Sequence, residues 1–454
     1  MHRFTKIDFT DGNIVLNVFL FSLPIIAGEL LQNLYNSVDA LVVGNFVSEK
    51  ALAAVMVCGI IASMLVNFFN GMSVGANVAV AKAFGRGSTE ETNRAIRISF
   101  SFAVLLGVAL TCLSELFAGR LLWIAGVKPD YYAEAILYLR IYLLGLMFTV
   151  IYNNGAGILR AVGDVATPFR ILLVSSLVNI VTDIALVVVL RLGIAGVGIA
   201  TVLSQLLSVT LIYRAIARRA GKYFLSFRDV FTNGRSTVAS VMQIGVAAGM
   251  QSALIGISNL FVVRYINLFD TASVAGIGIS QRLDKFIVLP VKSFGITMST
   301  YVGQNLGAGK LERIRKGKSR CLALGLIMTL TLSLVVFLFV DECVSLFNSD
   351  PAVVRTGREM MHVLLPCFWI MATREIYTGI LRGYGRSLMP MILSLFGMIV
   401  FRQIFLAVSM HYAPSIRNIY VCYPLAWAVT MVLILIYYRA VREKLPGMAK
   451  NSPS

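Results

Sequence analysis

Glu29, Gln32, Asn36 and Asp39 recur at i, i+3, i+7 and i+10 within one long apolar run. That spacing puts all four on one helical face. Asn179 and Asp183 stand one turn apart in a later apolar run, and Thr201 lies early in the next. Carboxylates, amides and hydroxyls are hard oxygen donors, suited to a small hard cation or an exchangeable proton. A charged residue at the centre of a lipid-embedded helix costs about 2.5–3.5 kcal/mol on insertion scales, so these groups must face a cavity or a partner helix. The competing reading of the same residues is a hydrogen-bonded polar knot that only fixes helix packing.

The elements that hold them are membrane spans. Of 454 residues 58% are hydrophobic and 14% charged, and the mean hydropathy is +0.81. A soluble domain carries about 25% charged residues. The apolar runs reach the length of roughly 20 residues that a helix needs to cross a bilayer. They predict an all-α integral membrane protein with twelve transmembrane helices, at 14–43, 51–81, 95–118, 131–160, 168–190, 194–217, 238–267, 272–303, 319–340, 353–382, 388–411 and 418–440. A β-barrel would alternate apolar and polar residues over short strands, and these runs are continuous. The leading 13 residues lack the apolar core of a signal peptide. The six cysteines are scattered without a C-x-x-C and read as small buried hydrophobes.

About two thirds of the 40 basic residues fall in loops on the side of the N-terminus. Basic residues favour cytoplasmic loops. The expected location is therefore the cytoplasmic membrane with both termini inside, and the net charge of +18 is a topology signal, with no nucleic-acid partner implied. At a rise of 1.5 Å per residue, Asp39 lies roughly 7 Å, and Asp183 and Thr201 about 10 Å, inside the outer ends of spans 1, 5 and 6. Pro24 can kink span 1 and free a carbonyl. Gly193, Gly196 and Gly198 open span 6 to close helix approach.

The chain also repeats. Val80–Arg94 lies over Val302–Lys316, and "GILRAVGDVATP" (Gly157–Pro168) over "GILRGYGRSLMP" (Gly379–Pro390), both at an offset of 222. Six spans per copy make the copies parallel, an arrangement found in secondary transporters. The expected domains are an N-terminal lobe 1–217, a basic linker 218–237 containing Asn233-Gly234, and a C-terminal lobe 238–454. The second lobe carries Arg282, Asp284, Lys285 and Lys292 on span 8 and Arg374 and Glu375 on span 10. These are candidates for a substrate path with Glu29 and Met298, but self-neutralised pairs, Asp284 with Lys285 or Arg282 and Glu375 with a neighbouring base, account for them as well. Met242, Met250, Met298 and Phe294 could form an adaptable surface or ordinary core. Arg140 and Arg402 read as structural or snorkelling.

No catalytic motif is present, and no cofactor is expected. The nearest approach to a phosphate loop, Gly303–Lys310, has Leu311 where Ser or Thr should hold magnesium. The driving force is then an ion gradient or a separate ATPase subunit.

At this point the residues resemble a known family. "LPIIAGELLQNLYNSVDALVVGNFVSEKALAAV", the "FGRGSTEETNRA" and "GQNLGAGKLERIR" loops and "GILRAVGDVATP" are similar to segments of multidrug and toxic compound extrusion (MATE) transporters, nearest the branch of the DNA-damage-inducible protein F type. The resemblance covers about residues 12–440. It implies two six-helix lobes forming a V, alternating access, and antiport of Na+ or H+ against small organic cations. It also implies a cation site at Asp39, Asn179, Asp183 and Thr201, with Gln32, Tyr35 and Asn36 as polar neighbours and Pro24 as the bend of span 1. A monomer in the lipid bilayer is expected. The alternatives are a flippase for a lipid-linked precursor, which would need a basic cavity, and a membrane-embedded enzyme, for which no constellation is visible.

Overall fold

The computed structural model describes residues 6–221, 225–232 and 234–446, without the side chains of Asn36 and Ala40. Asn36, as a predicted ligand neighbour, and Asn233 of the linker therefore lie outside the described residues. Among those described there is no strand; the chain is helical throughout.

Span 1 is Ile14–Phe46, span 2 Glu49–Gly85 and span 3 Thr89–Leu116. Span 4 is a broken pair, Pro129–Leu144 and Leu146–Ala161, bent by 41° at Gly145. Span 5, Ala166–Asp183, continues as a π-helix over Ile184–Val189, and span 6 is Gly193–Ala220. Spans 7, 8 and 9 are Arg235–Ile266, Thr271–Gly307 and Leu311–Leu338. Segment 10 is Pro351–Leu364 with Phe368–Gly383; span 11 runs Leu388–Leu395, a π segment Phe396–Phe401 and Arg402–Tyr412; span 12 is Ile416–Val441.

Among the described residues ten helices are long and apolar enough to cross a membrane, eleven if the bent pair counts as one. Twelve were expected. Segment 10 falls short because a break at Leu365–Cys367 divides it into helices of 14 and 16 residues and Arg355, Arg358, Glu359, Arg374, Glu375 and Arg382 crowd it. Such charges are expensive in lipid, and the last three are buried by protein instead.

The chain forms two compact units. The first comprises Met1–Asp8 and Leu23–Gly249, the second Phe9–Ser22 and Met250–Ser454. These bounds differ from 217 and 238 for a physical reason. Phe9 is fully buried in the second unit, where its N–H donates to Gln304 Oε1 at 2.9 Å, and the Ser22 and Thr297 hydroxyls bond at 2.9 Å. The start of span 7 packs with the first unit, where Ile244 clusters with Val74 and Val78. The linker is also partly structured: a short helix, Phe227–Thr232, is held on span 3 by Arg97–Asp229 at 3.0 Å and by Ser226 N–H on Ser101 Oγ at 3.0 Å.

The repeat survives as geometry. A Cβ at Gly157 would meet the Ser73 carbonyl oxygen at 2.6 Å, and one at Gly379 the Gly295 oxygen at 2.3 Å. Both members of each contact are related by 222 residues. Glycine lets two helix backbones approach closely, and it does so at the same place in each unit. Of the six cysteines, all free, only Cys58, Cys321 and Cys422 are buried, while Cys112 is exposed.

Candidate cation site in the first unit

Spans 1, 5 and 6 bring four predicted side chains inside the first unit. Asp39 is 8% exposed, Asn179 1%, Asp183 0% and Thr201 5%. The Asp39 and Asp183 carboxyl groups are near enough to interact directly. Apart from that mutual contact, both oxygens of Asp183 and Oδ1 of Asp39 have no hydrogen-bond donor among the described residues. Both side-chain atoms of Asn179 are likewise unpartnered. The Thr201 hydroxyl donates to the Val197 carbonyl at 3.0 Å, which leaves its lone pairs available.

Local structure positions them. The π-helix of span 5 starts on the residue after Asp183, and such segments widen a helix where a site needs room. Gly196 lets span 6 lie against that segment: its missing Cβ would sit 3.2 Å from Leu186 and Val187. Gly198 does the same toward Ile141 of span 4, at 2.8 Å. Span 1 passes unbroken through Pro24.

A cavity lies one to two helical turns along the same faces. Gln32 and Tyr35 line it from span 1, Ser175, Ser176 and Asn179 from span 5, and Ser204, Gln205 and Ser208 from span 6. Thr149, Tyr152 and Asn153 close it from span 4. The volume open to water centres is about 60 Å³. One water needs roughly 10–15 Å³, so this partly open cavity has room for a few waters or a small ion. The Ser175 and Ser176 hydroxyls, Thr149 Oγ1 and Gln205 Oε1 are buried there without hydrogen-bond partners among the described residues. Buried polar groups are normally satisfied, and water or a small cation can satisfy this array. Two carboxylates with an amide and a hydroxyl fit a hard cation or a proton better than a transition metal. Among the described residues no three His, Cys, Asp or Glu side chains converge on one point.

The Ser175, Ser176, Ser204 and Ser208 hydroxyls lie outside the set that the sequence pattern singled out. Their signal was legible: 201, 204 and 208, like 175, 179 and 183, repeat at helical spacing. Tyr138, in electrostatic reach of both carboxylates, had no such signal, because its approach depends on the tilt of broken span 4.

Glu29 is only half-buried and lies near enough to Arg160 to act on it electrostatically. The other predicted path residues are elsewhere, in the second unit. Met298 and Phe294 are enclosed core, whereas Met242 and Met250 are exposed at 36% and 39%. Asp284 forms no ion pair within 4 Å among the described residues, contrary to the expected pairing with Lys285 or Arg282, which are both exposed. Glu375 does pair, with Arg374 at 3.0 Å and Arg382 at 3.5 Å. Arg402, expected to be structural or snorkelling, is 1% exposed and donates to Ser258 Oγ at 2.7 Å, so it does not snorkel.

The chain is similar to known transporters along nearly its whole length. It is 24% identical over 432 residues to the probable multidrug resistance protein YoeA of Bacillus subtilis, covering 94% of this chain and 93% of that one. It is 26% identical to the probable multidrug resistance protein YpnP of the same organism, over 83% and 84% of the two chains. Its fold matches the outward-facing structure of a multidrug resistance MATE family transporter of the MOP superfamily with a TM-score of 0.86 at 20% identity, over 95% of this chain and 96% of that one. The MatE family model matches residues 24–185 and again 247–408, an offset (24 to 247) within one residue of that read from the loops. The chain belongs to the MatE family of multi-pass membrane transporters.

Proposed function

We propose that the protein exports organic molecules, multidrug substrates included, from the cytoplasm by antiport with Na+ or H+, and that Asp39, Asn179, Asp183 and Thr201 hold the coupling ion. One observation carries the reading: two buried carboxyl groups face each other in an apolar unit and, apart from that contact, their oxygens and the neighbouring Asn179 amide have no partner among the described residues. An arrangement of that kind is costly unless something positive visits it. The names of the relatives, multidrug resistance proteins, support export of drugs.

In the cycle, a cation entering from outside neutralises Asp39 and Asp183 and shifts span 1, which carries Gln32 and Tyr35 into a new position at the cavity wall. An organic cation that had counterbalanced the carboxylates loses its partner and leaves outward. Alternating access then releases the coupling ion inside. One elementary charge crossing 100 mV is worth about 2.3 kcal/mol, so the stoichiometry sets how far substrate is expelled. Both termini are cytoplasmic in this scheme, and the monomer is the working unit.

The test is efflux of a fluorescent organic cation from proteoliposomes under separately imposed Na+ and proton gradients. Efflux driven by one gradient and lost in Asp39→Asn is the expected result, and the effective gradient identifies the ion. Equal efflux by wild type and Asp39→Asn sinks the coupling role of this site. The lipid-linked precursor flippase keeps one observation in its favour, the cationic side chains Arg282, Lys285, Lys292 and Arg374 of the second unit.

A further inference from the structure

The second unit contains a buried charge cluster with one cation too many. Arg374 donates from Nη2 to Glu375 Oε2 at 3.0 Å, and Arg382 from Nη1 to Oε1 at 3.5 Å. Arg382 also donates to Gln251 Oε1 at 2.9 Å, and Gln251 in turn to Ser394 Oγ at 3.0 Å. Glu375 lies over Gly295 of span 8, whose missing Cβ would sit 2.8 Å from its Cγ. Arg374, Glu375 and Arg382 are 5%, 8% and 8% exposed. Two guanidinium groups thus share a single carboxylate, and Arg374 Nε and Nη1 are buried with no partner among the described residues. Uncompensated buried charge is costly, and packing alone does not call for it.

The repeat shows what these positions are. Counting back 222 residues, Arg374 and Glu375 fall on Tyr152 and Asn153, which line the cavity of the first unit. Arg382 falls on Arg160 and Gln251 on Glu29; in the first unit Glu29 acts on the Arg160 guanidinium only at longer range, with no ion pair within 4 Å among the described residues, and Arg160 Nε is unpartnered there as well. The second unit has added a charge pair at the cavity-lining positions and removed the acid from span 7. Around it, the cavity residues Tyr142, Thr149 and Gln205 are replaced by Leu364, Met371 and Trp427, all buried and apolar.

We propose that Arg374 binds the oxyanion of an organic molecule, a carboxylate or phosphate on an apolar or aromatic body. Arg374 can donate from Nε and Nη1 without releasing Glu375, and charge-assisted donors of this kind suit carboxylate and phosphate. At the repeat positions of the first unit's cavity wall stand Met371 and Trp427, a thioether and an aromatic side chain that can pack an apolar body. The inference rests on the transport reading only in that ligand must reach the closed site when the unit opens during the cycle. An aqueous aromatic acid and an anionic lipid present the same chemistry, and the experiment separates them.

Full-length protein in phosphatidylcholine nanodiscs is titrated with 2-naphthoate and with its methyl ester by fluorescence, against empty discs, and the titration is repeated in discs containing phosphatidylglycerol. The acid is expected to bind about tenfold or more tightly than the ester. Arg374→Gln is expected to erase that preference, and Arg374→Lys to keep part of it. Competition by phosphatidylglycerol that Arg374→Gln abolishes assigns the site to lipid; no competition assigns it to soluble acids. Equal binding of acid and ester by wild type, with no effect of phosphatidylglycerol, overturns the proposal without any variant. A preference that survives Arg374→Gln overturns it too. Gradient-driven efflux of an organic cation is measured on the same protein: its absence beside intact acid binding defeats the transport reading and leaves the anion site standing.

Discussion

The two units share a backbone plan and differ in the sign of what they bury. In the first, spans 1, 5 and 6 enclose Asp39, Asn179, Asp183 and Thr201. In the second, the 222 offset places Phe261 at the position of Asp39 and Tyr423 at that of Thr201. On span 11 the π segment Phe396–Phe401 absorbs a residue, and the buried phase runs one position late: Arg402 and Leu406 are buried where the offset from Asn179 and Asp183 points to Phe401 and Phe405. The guanidinium of Arg402 lies 5.5 Å from the Tyr423 ring centroid and bonds Ser258, the counterpart of position 36. A duplicated fold therefore preserves helix contacts while its chemistry diverges. The glycine approaches are kept because backbones collide without them, whereas the cavity-facing positions are free to change charge.

The sharpest way to break this comparison is to remove the acid that only the first unit has. Asp39→Asn is expected to lower gradient-driven efflux about a hundredfold in proteoliposomes while the protein still purifies folded, since the amide keeps the shape of the side chain and relieves the contact of two buried carboxyl groups. Glu375→Gln should do the reverse. It leaves two buried guanidiniums without a counter-charge, and breaking a buried pair costs about 3–5 kcal/mol, visible as a large fall in Tm by thermal fluorescence. A stable Glu375→Gln protein would mean that the cluster is not held by that carboxylate.

Gly157→Ala and Gly379→Ala test the shared plan. Each new Cβ meets a carbonyl oxygen closer than real Cβ atoms come, and overpacking of this kind costs about 1–3 kcal/mol. The two variants should lose similar amounts in the same Tm assay; a loss confined to one would show that the units are not held together alike. The smallest expected effect concerns the caps. Ser48 caps span 2 through the Ala51 N–H, and its counterpart Asp270 caps span 8 through the Ser273 N–H and hydroxyl. Those hydrogen bonds hold the Asp270 carboxyl below the usual carboxylate range. A group with a depressed folded-state pKa stabilises above its unfolded pKa and loses that contribution as pH falls through the folded value. Acidification should therefore lower hydrogen-exchange protection at the start of span 8 and leave the start of span 2 unchanged.

The first-unit site was largely legible because helical spacing is a local property. Glu29 to Asp39 and Asn179 to Asp183 report a shared face whatever the helices pack against, and oxygen donors in an apolar run demand a partner. Segment 10 was drawn as an ordinary span, although its charges depart from a lipid-facing composition. What the chain by itself determined is the all-helical membrane character, the duplication, the family and the oxygen-rich residue set, since hydropathy, periodicity and repeated loops are properties of neighbouring residues. Only the tertiary structure decided that Phe9–Ser22 belongs with the second unit, that Arg402 is buried and that Arg374 keeps two donors free. Those outcomes depend on which distant helices meet and on a one-residue phase shift in a π segment, and neither is written in local spacing.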